Sequence, residues 1–296
     1  MSLLATLAGI GLILVALYDI FRTLFLPSGK GLLSKWVSHL VWNAFRSLAG
    51  RYPALLGGAG PVGLTMSAIG WTVLLAIGWA LIYWPRMPES VLLSSGMNPE
   101  NNESFFDALY FSVVTAATLG YGDITPEQQW MRFVAPLQAM LGFLLFTAII
   151  TWLLSIYPDL ARRSAFAREV SLLREAEQTV ALDFVGMDVS AVEQLLGNLT
   201  TELVAIRGDI IQFPTTYYFH ESSEQSSLPA ILPYVLQLAQ RGAQPACPPE
   251  VRLQAVRLQG ALEDTATTLA QRFLDIPAQP AEQVFAAYAR DHMQPA

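Results

Sequence analysis

The sequence predicts an all-α chain: a membrane helical bundle with a re-entrant loop, followed by an all-helical cytoplasmic domain. Three observations predict it. Of 296 residues, 53% are hydrophobic and only 14% charged, against roughly 25% charge in an ordinary soluble domain. Three stretches, Met1 to Tyr18, Tyr52 to Pro85 and Phe133 to Pro158, contain no Asp, Glu, Lys or Arg. The C-terminal half carries its apolar residues at helical spacing, with no alternating strand pattern.

A helix needs about 20 apolar residues to cross roughly 30 Å of hydrocarbon. The second and third stretches reach that length outright, and the first does so by running on through Asp19 and Arg22 to Phe25. The first stretch has no basic lead-in and no polar cleavage segment after its apolar core, so residues 1–26 predict a retained N-terminal helix rather than a signal peptide. Asp19 and Arg22, three residues apart, read as a local ion pair near its inner end. A voltage sensor would need regularly spaced arginines, which this helix lacks.

Residues 27–53 hold "GLLSKWVSHLVWNAFRSLAG", in which Leu33, Val37, Leu40, Val41, Ala44, Phe45 and Leu48 recur at helical spacing. Together with Trp36 and Trp42 this reads as an amphipathic helix lying in the membrane interface, with packing on the surface of the cytoplasmic domain as the alternative. Five of the seven bases in residues 1–157 lie between the first and second hydrophobic stretches, with no acid between Arg22 and Arg51. The excess of bases puts this loop in the cytoplasm. It follows that the N-terminus is external, a helix over 63–84 runs outward, the segment from Arg86 to Arg132 faces outside, a helix over 131–157 returns, and the C-terminus is cytoplasmic. The glycine cluster "GGAGPVG" ahead of the second helix predicts a hydrophobic turn.

The external segment opens with a polar loop over 85–103, in which Asn102-Glu103-Ser104 fits a glycosylation acceptor. Ser104, with Asp107 three residues on, predicts a capping box for a helix over 104–117. That helix is too short to span and leads into "TAATLGYGDITP", Thr115 to Pro126. Irregular backbone at membrane depth survives only where protein buries it or where it lines a watery path. Gly120 and Gly122 can take positive φ without steric cost, which lets successive carbonyls turn to one side.

At Thr118-Leu119-Gly120-Tyr121-Gly122-Asp123 the chain resembles the selectivity filter of potassium channels, with leucine where valine or isoleucine is usual. The resemblance extends over roughly residues 64–157 and is to the two-helix pore type of bacterial channels. It implies a pore domain over 54–157: outer helix 63–84, external loop 85–103, pore helix 104–117, filter 118–123 and inner helix 131–157. By the same resemblance, carbonyls of Thr118, Leu119, Gly120 and Tyr121 and the Thr118 hydroxyl replace the hydration shell of a permeant potassium ion, with Gly122 closing the filter. Asp123 stands where the family braces the filter against the pore helix. Phe111 and Val114 occupy the positions of its usual partners, and neither offers a conventional hydrogen bond. Gly142 falls where the family often has a hinge in the inner helix, while close helix packing is the other reading of that glycine. One filter strand cannot surround an ion, so the resemblance implies a homotetramer in the lipid bilayer of the cell membrane.

Residues 158–296 carry the whole net charge of −7 and no lysine, which argues against a nucleic-acid partner. Helices are predicted from about 159 to 182, over 190–211, 228–241 and 249–274, and from 280 to about 292. Cys247 is the single cysteine, and His39, His220 and His292 are scattered, so neither a disulfide framework nor a zinc cluster is expected. No G-x-G-x-x-G follows an apolar strand, and no nucleophile with an oriented base is readable. Passive potassium flux, with no enzyme activity and no cofactor, is the leading expectation. A weakly selective monovalent cation channel and a non-conducting membrane scaffold are the alternatives. The helical half could regulate the gate, assist tetramerisation or bind a partner.

Overall fold

A computed structural model of the chain describes residues 2–26, 29, 31–50, 52–94, 104–180 and 186–294. Asn102 and Glu103 of the glycosylation pattern, and residues 95–103 of the expected loop, lie outside the described residues. The fold is helical: α1 (Ser2–Leu24), α2 (Leu32–Ala49), α3 (Ala59–Tyr83), α4 (Phe105–Ala116), α5 (Gln129–Val180), α6 (Val189–Gln212), α7 (Leu228–Gly242), α8 (Pro249–Leu269) and α9 (Ala281–Asp291). The chain forms two compact units, one of Met1–Leu40 and Gly63–Leu154, the other of Val41–Val62 and Ser155–Ala296. Helices long and apolar enough to cross a membrane cover Ser2–Leu24, Ala54–Arg86 and Gln129–Val180.

In the first unit α1 lies against α3 because both present glycine at the crossing. A Cβ on Gly9 would fall inside contact of the Gly78 carbonyl, and one on Gly78 would lie 2.7 Å from Ile13. Arg86 Nη1 donates to Thr6 Oγ1 at 2.9 Å, tying the same two segments together further along. Asp19 does not pair with Arg22 as expected. It is 3% exposed; its Oδ1 accepts from the Leu33 N–H at 2.8 Å, and its Oδ2 accepts from Trp71 Nε1 and Ser34 Oγ, each at 2.8 Å. The α1 carboxylate thereby caps the first turn of α2, where free N–H groups and the positive end of the helix dipole favour an anion. Arg22 turns instead to the Tyr18 hydroxyl and ring.

A buried polar thread fixes α4 between α3 and α5. Tyr83 donates to Gln138 Oε1, Gln138 Nε2 donates to both Ser112 O and Ser112 Oγ, and Ser112 Oγ donates to the Ala76 carbonyl, every distance being 2.8 Å. Burying these groups is tolerable because each finds a partner. Two short strands not expected from the sequence, β1 (Val91–Leu93) and β2 (Ile124–Pro126), pair antiparallel with Leu92 opposite Thr125. Their ribbon ties the segment after the filter sequence to the one after α3, and the Ser94 N–H extends it to the Asp123 carbonyl at 2.9 Å. At three residues each, they are too short to show an alternating pattern.

The second unit is a helical bundle whose core alternates between facing stripes. Val192, Leu196, Leu199, Leu203 and Ile206 of α6 and Val251, Ala255, Leu258, Leu262 and Ala266 of α8 are buried in it, with Leu232, Val235 and Leu238 of α7 and Phe285 and Tyr288 of α9. Trp42 and Ala49 of α2 join this core and Phe45 packs on it, so residues 41–49 take the domain-surface setting rather than the expected membrane-interface one, because their apolar side chains are buried by this bundle. Trp36 of α2, counted with the first unit, stays 64% exposed.

Two expected breaks are absent. The inner helix was expected over 131–157, with a new helix after Pro158; α5 is continuous from Gln129 to Val180. A proline inside a helix removes one donor, leaving the Leu154 carbonyl without its i+4 N–H, yet the helical path carries on. The boundary between the two units falls at that same Leu154. The expected glycine-rich turn is likewise structured: Pro53–Gly58 forms a 3-10 helix and α3 starts at Ala59. Pro61 sits in the first turn of α3, where a missing N–H costs nothing.

Candidate functional site

The capping box expected at Ser104 starts α4: the Asp107 N–H donates to Ser104 Oγ at 3.3 Å and the Ser104 N–H to Asp107 Oδ2 at 3.1 Å. α4 stops at Ala116, and the chain reverses its backbone handedness at every second residue. Thr118, Gly120 and Gly122 have φ of 57°, 56° and 80°. Positive φ suits glycine, but for a β-branched threonine it is a costly conformation, of a kind concentrated at functional positions. Two bonds hold it: the Thr118 N–H donates to Thr115 O and the Leu119 N–H to Val114 O, both at 3.0 Å. Thr118 to Gly122 are exposed along the single chain, with Leu119 at 56% and Tyr121 at 67%.

Behind this strand, Phe111 and Val114 are buried. Phe111 meets the Tyr83 ring edge-on with centroids 5.1 Å apart, and Val114 contributes its carbonyl to Leu119 as above. The hydrogen-bonding partner of Asp123 is a residue that the sequence reading passed over: the Tyr110 hydroxyl donates to Asp123 Oδ2 at 2.5 Å, while the Ile124 N–H donates to Oδ1 at 3.0 Å. The tyrosine bond holds the Asp123 carboxyl below its ordinary range. The available signal was that Tyr110 is the one aromatic hydroxyl in "FFDALYFSVVTA".

Gly142 lies against the end of α4. A Cβ there would fall inside contact of the Ala116 carbonyl oxygen, and α5 passes through Gly142 without interruption. The site therefore gathers Tyr110, Phe111, Val114, Thr118 to Asp123 and the Gly142 segment into one neighbourhood. No cluster of His, Cys, Asp or Glu that could hold a metal ion occurs among the described residues.

Residues 66–157 match the family model described as an ion channel. This segment is similar to ion channels, and the similarity to that model is confined to it. The match covers α3 from its eighth residue, the ribbon, α4, the Thr118–Asp123 segment and the first part of α5. Together with the three long apolar helices, it supports a membrane location.

Over 223 residues, 75% of this chain and 64% of the relative, the sequence is 29% identical to the uncharacterized membrane protein YdjJ of Bacillus subtilis. It is 30% identical over 104 residues to two-pore potassium channel 2 of Arabidopsis thaliana, covering 34% of this chain and 22% of that one. A 36-residue stretch is 53% identical to a hyperpolarization-activated voltage-gated potassium channel of Methanocaldococcus jannaschii, covering 12% of this chain and 17% of that one. The chain thus spans just under two thirds of the Bacillus relative and less than a quarter of the other two. No solved structure matches.

Proposed function

We propose that the protein is a potassium-selective channel in which four copies bring their Thr118–Gly122 strands around one axis. The observation that carries this is the alternating handedness of that strand. Residues of opposite handedness in succession point like backbone groups the same way. The Thr118 and Leu119 N–H groups are already bonded back to α4, which leaves the carbonyl oxygens of those two residues to face the axis. Stacked carbonyl rings replace the hydration shell of a monovalent cation.

The strand's exposure supports the tetramer. Irregular backbone cannot face lipid, so these groups must line water or meet other copies. Asp123, kept ionised by Tyr110, adds negative potential at the mouth and attracts cations. In this arrangement the chain is multi-pass, with its N-terminus external and its C-terminus cytoplasmic, and the second unit acts on the gate through the two segments that join it to α3 and α5. The potassium-channel names of two relatives point to the same ion.

The test is potassium against sodium flux of the full chain in liposomes, with Gly122→Ala beside it. A reversal potential that follows potassium, lost in the variant while insertion is retained, is the expected result. Equal permeation of both ions would replace the reading by a weakly selective channel. Flux unchanged by Gly122→Ala would remove Thr118–Gly122 as the conduction path.

A further inference from the structure

The second unit contains a closely packed cluster of titratable side chains that the conduction reading does not use. At its centre is His292, 2% exposed, at the C-terminal end of α9. Four rings surround it: Trp42 and Tyr288, each with its centroid 4.8 Å away, Tyr217 at 5.0 Å and His220 at 6.4 Å. Its neighbour Asp291 takes the Trp42 indole N–H at 3.2 Å, the Tyr217 hydroxyl at 2.6 Å and the Arg46 guanidinium at 2.8 Å. The end of α9 thus grips α2 at Trp42 and Arg46.

That grip is placed where it matters for the pore. Trp42 and Arg46 precede the start of α3 at Ala59 in the chain, and Arg163 follows the first unit's share of α5. Arg163 is 3% exposed and donates to the carbonyls of Thr216 and Phe219 at 2.8 and 2.9 Å. The Phe219 ring in turn fills the space beside Gly60, where a Cβ would come within 2.6 Å of it. A single stretch, Thr216 to Phe219, therefore holds both the segment leading into α3 and the segment continuing α5.

We propose that His292 is the titratable element of a latch fastening α9 to α2, that acid on the side of the second unit releases it, and that release alters conduction. The part concerning conduction rests on the channel reading above. The geometry explains why the imidazolium does not fit. The groups facing His292 from α5, from α2 and from the segment after Tyr218 are Arg163, Arg46 and His220, each cationic or able to become so. Asp291, on α9 itself, is already engaged by three donors, and Glu221 lies 3.9 Å from Arg163. Tyr217, Tyr218 and Tyr288 are neutral at physiological pH. Among the described residues His292 Nε2 and His220 Nδ1 have no hydrogen-bond partner. The unpaired atoms nearby, the Tyr288 hydroxyl and His220 Nδ1, carry no negative charge, so a second proton on His292 would meet no free carboxylate, and burying an unpaired charge is strongly unfavourable.

Burial first, and Arg163 second, hold both imidazoles below their ordinary value of 6.5. A base whose value is depressed in the closed state binds fewer protons there than when released. The latch is therefore at full strength above about pH 6.5 and weakens as pH falls below it, by up to roughly tenfold in the closing equilibrium per pH unit for each histidine.

Hydrogen exchange of the full chain in detergent tests this without needing conduction. Protection factors, corrected for intrinsic exchange, are compared at about pH 7.5 and about pH 5.5 for peptides over 41–50 and 281–294. Wild type should lose protection there by about tenfold or more, while α6 and α8 keep theirs. His292→Phe, which refills the ring cage without a proton, should remove most of that loss. If that variant misfolds, visible as lost protection in α8 at the higher pH, His220→Gln decides the matter by making the pH dependence shallower. Equal protection at both pH values in wild type, or an undiminished loss in the variants, would overturn the latch. Potassium flux measured in parallel should change with pH in wild type and much less in His292→Phe. A pH-dependent latch with pH-independent flux would overturn its link to conduction. No flux at any pH, with the exchange result intact, would count against the channel reading and leave the latch standing.

Discussion

The hydroxyl of Tyr110 on α4 donates to Asp123 Oδ2, 2.5 Å away across the turn that carries the filter sequence. This one bond joins the short helix to the far end of the strand it leads into. Tyr110→Phe keeps the ring and deletes the bond. Without it the carboxyl should return toward the ordinary aspartate value of 3.8, because the bond to Tyr110 is the largest cause of its depression. A depressed acid keeps its charge to lower pH, so wild type should hold its potassium flux further into the acid range than the variant. Flux against external pH measures this. Superimposable acid profiles would mean that Asp123 does not set the potential at the mouth.

The Asp19 carboxylate makes its contacts across three helices, and its removal strands several donors at once. Trp71 Nε1, Ser34 Oγ and the Leu33 N–H all lose their acceptor in Asp19→Ala. Unsatisfied buried groups cost about 1–3 kcal/mol each. Partial rearrangement of the first turn of α2 limits the total to about 3 kcal/mol. Asp19→Glu should not rescue it, because Gly31 already packs against the carboxylate and leaves no room for another methylene. Thermal unfolding in detergent reads both variants. A wild-type midpoint in Asp19→Ala would show that the α1 to α2 cap contributes nothing to stability.

Asp19 and Tyr110 mark the limit of what the sequence discloses. Lack of charge over twenty or more residues is enough to place α3 and the first part of α5, since the bilayer sets that length, and α1 follows once its shorter apolar run is continued through Asp19 and Arg22. Periodicity places α6 to α9 within a few residues, because their apolar stripes are long. The positive φ of Gly120 and Gly122 was readable because glycine takes that conformation without steric cost. Asp19 near Arg22 suggested the nearest opposite charge; its actual partners, Leu33, Ser34 and Trp71, are set by packing between helices. Phe111 and Val114 were assigned by position in a pattern, while the bond came from Tyr110, one residue before Phe111 and differently directed around the helix. Pro158 read as a boundary from a local rule, but one missing hydrogen bond did not end a helix fifty-two residues long. Gln138 is a lone polar residue in an apolar run, and only its contacts with Tyr83 and Ser112 explain it.

Alkaline pH should unfold the second unit through its tyrosines. Burial raises Tyr218 and Tyr288 from 10.0 to about 12, and raises Tyr217 well above the ordinary value too, with Asp291 adding to the effect there. The folded state holds these phenols neutral, whereas the unfolded chain ionises them near 10. Their stabilisation is therefore complete below about pH 10 and is lost as pH rises through about 12. Tyr288 makes the cleanest test, because its buried hydroxyl has no hydrogen-bond partner among the described residues. Tyr288→Phe should leave neutral-pH stability unchanged or raise it by about 1 kcal/mol. It should also soften the alkaline loss seen by circular dichroism. A variant much less stable than wild type at neutral pH would mean that the hydroxyl is satisfied in solution.

Gly142 offers a choice between two mechanisms. A hinge glycine supplies flexibility, so alanine there should shift how often the pore opens while leaving ion preference alone. A packing glycine supplies space, and the structure gives Gly142 that role: an added methyl would fall inside contact of the Ala116 carbonyl oxygen. Backbone cannot swing aside as a long side chain can, so Gly142→Ala must push the end of α4. Two residues later the chain enters the strained conformation at Thr118. Displacement there would disturb the carbonyl rings proposed to distinguish ions. The expected outcome is therefore a changed potassium-to-sodium permeability ratio, or loss of flux, with helical content unchanged. Single-channel recording in bilayers separates the possibilities. Unaltered permeability with a new open probability would return Gly142 to the hinge role and mean that α4 and α5 are looser in the bilayer than their packing implies.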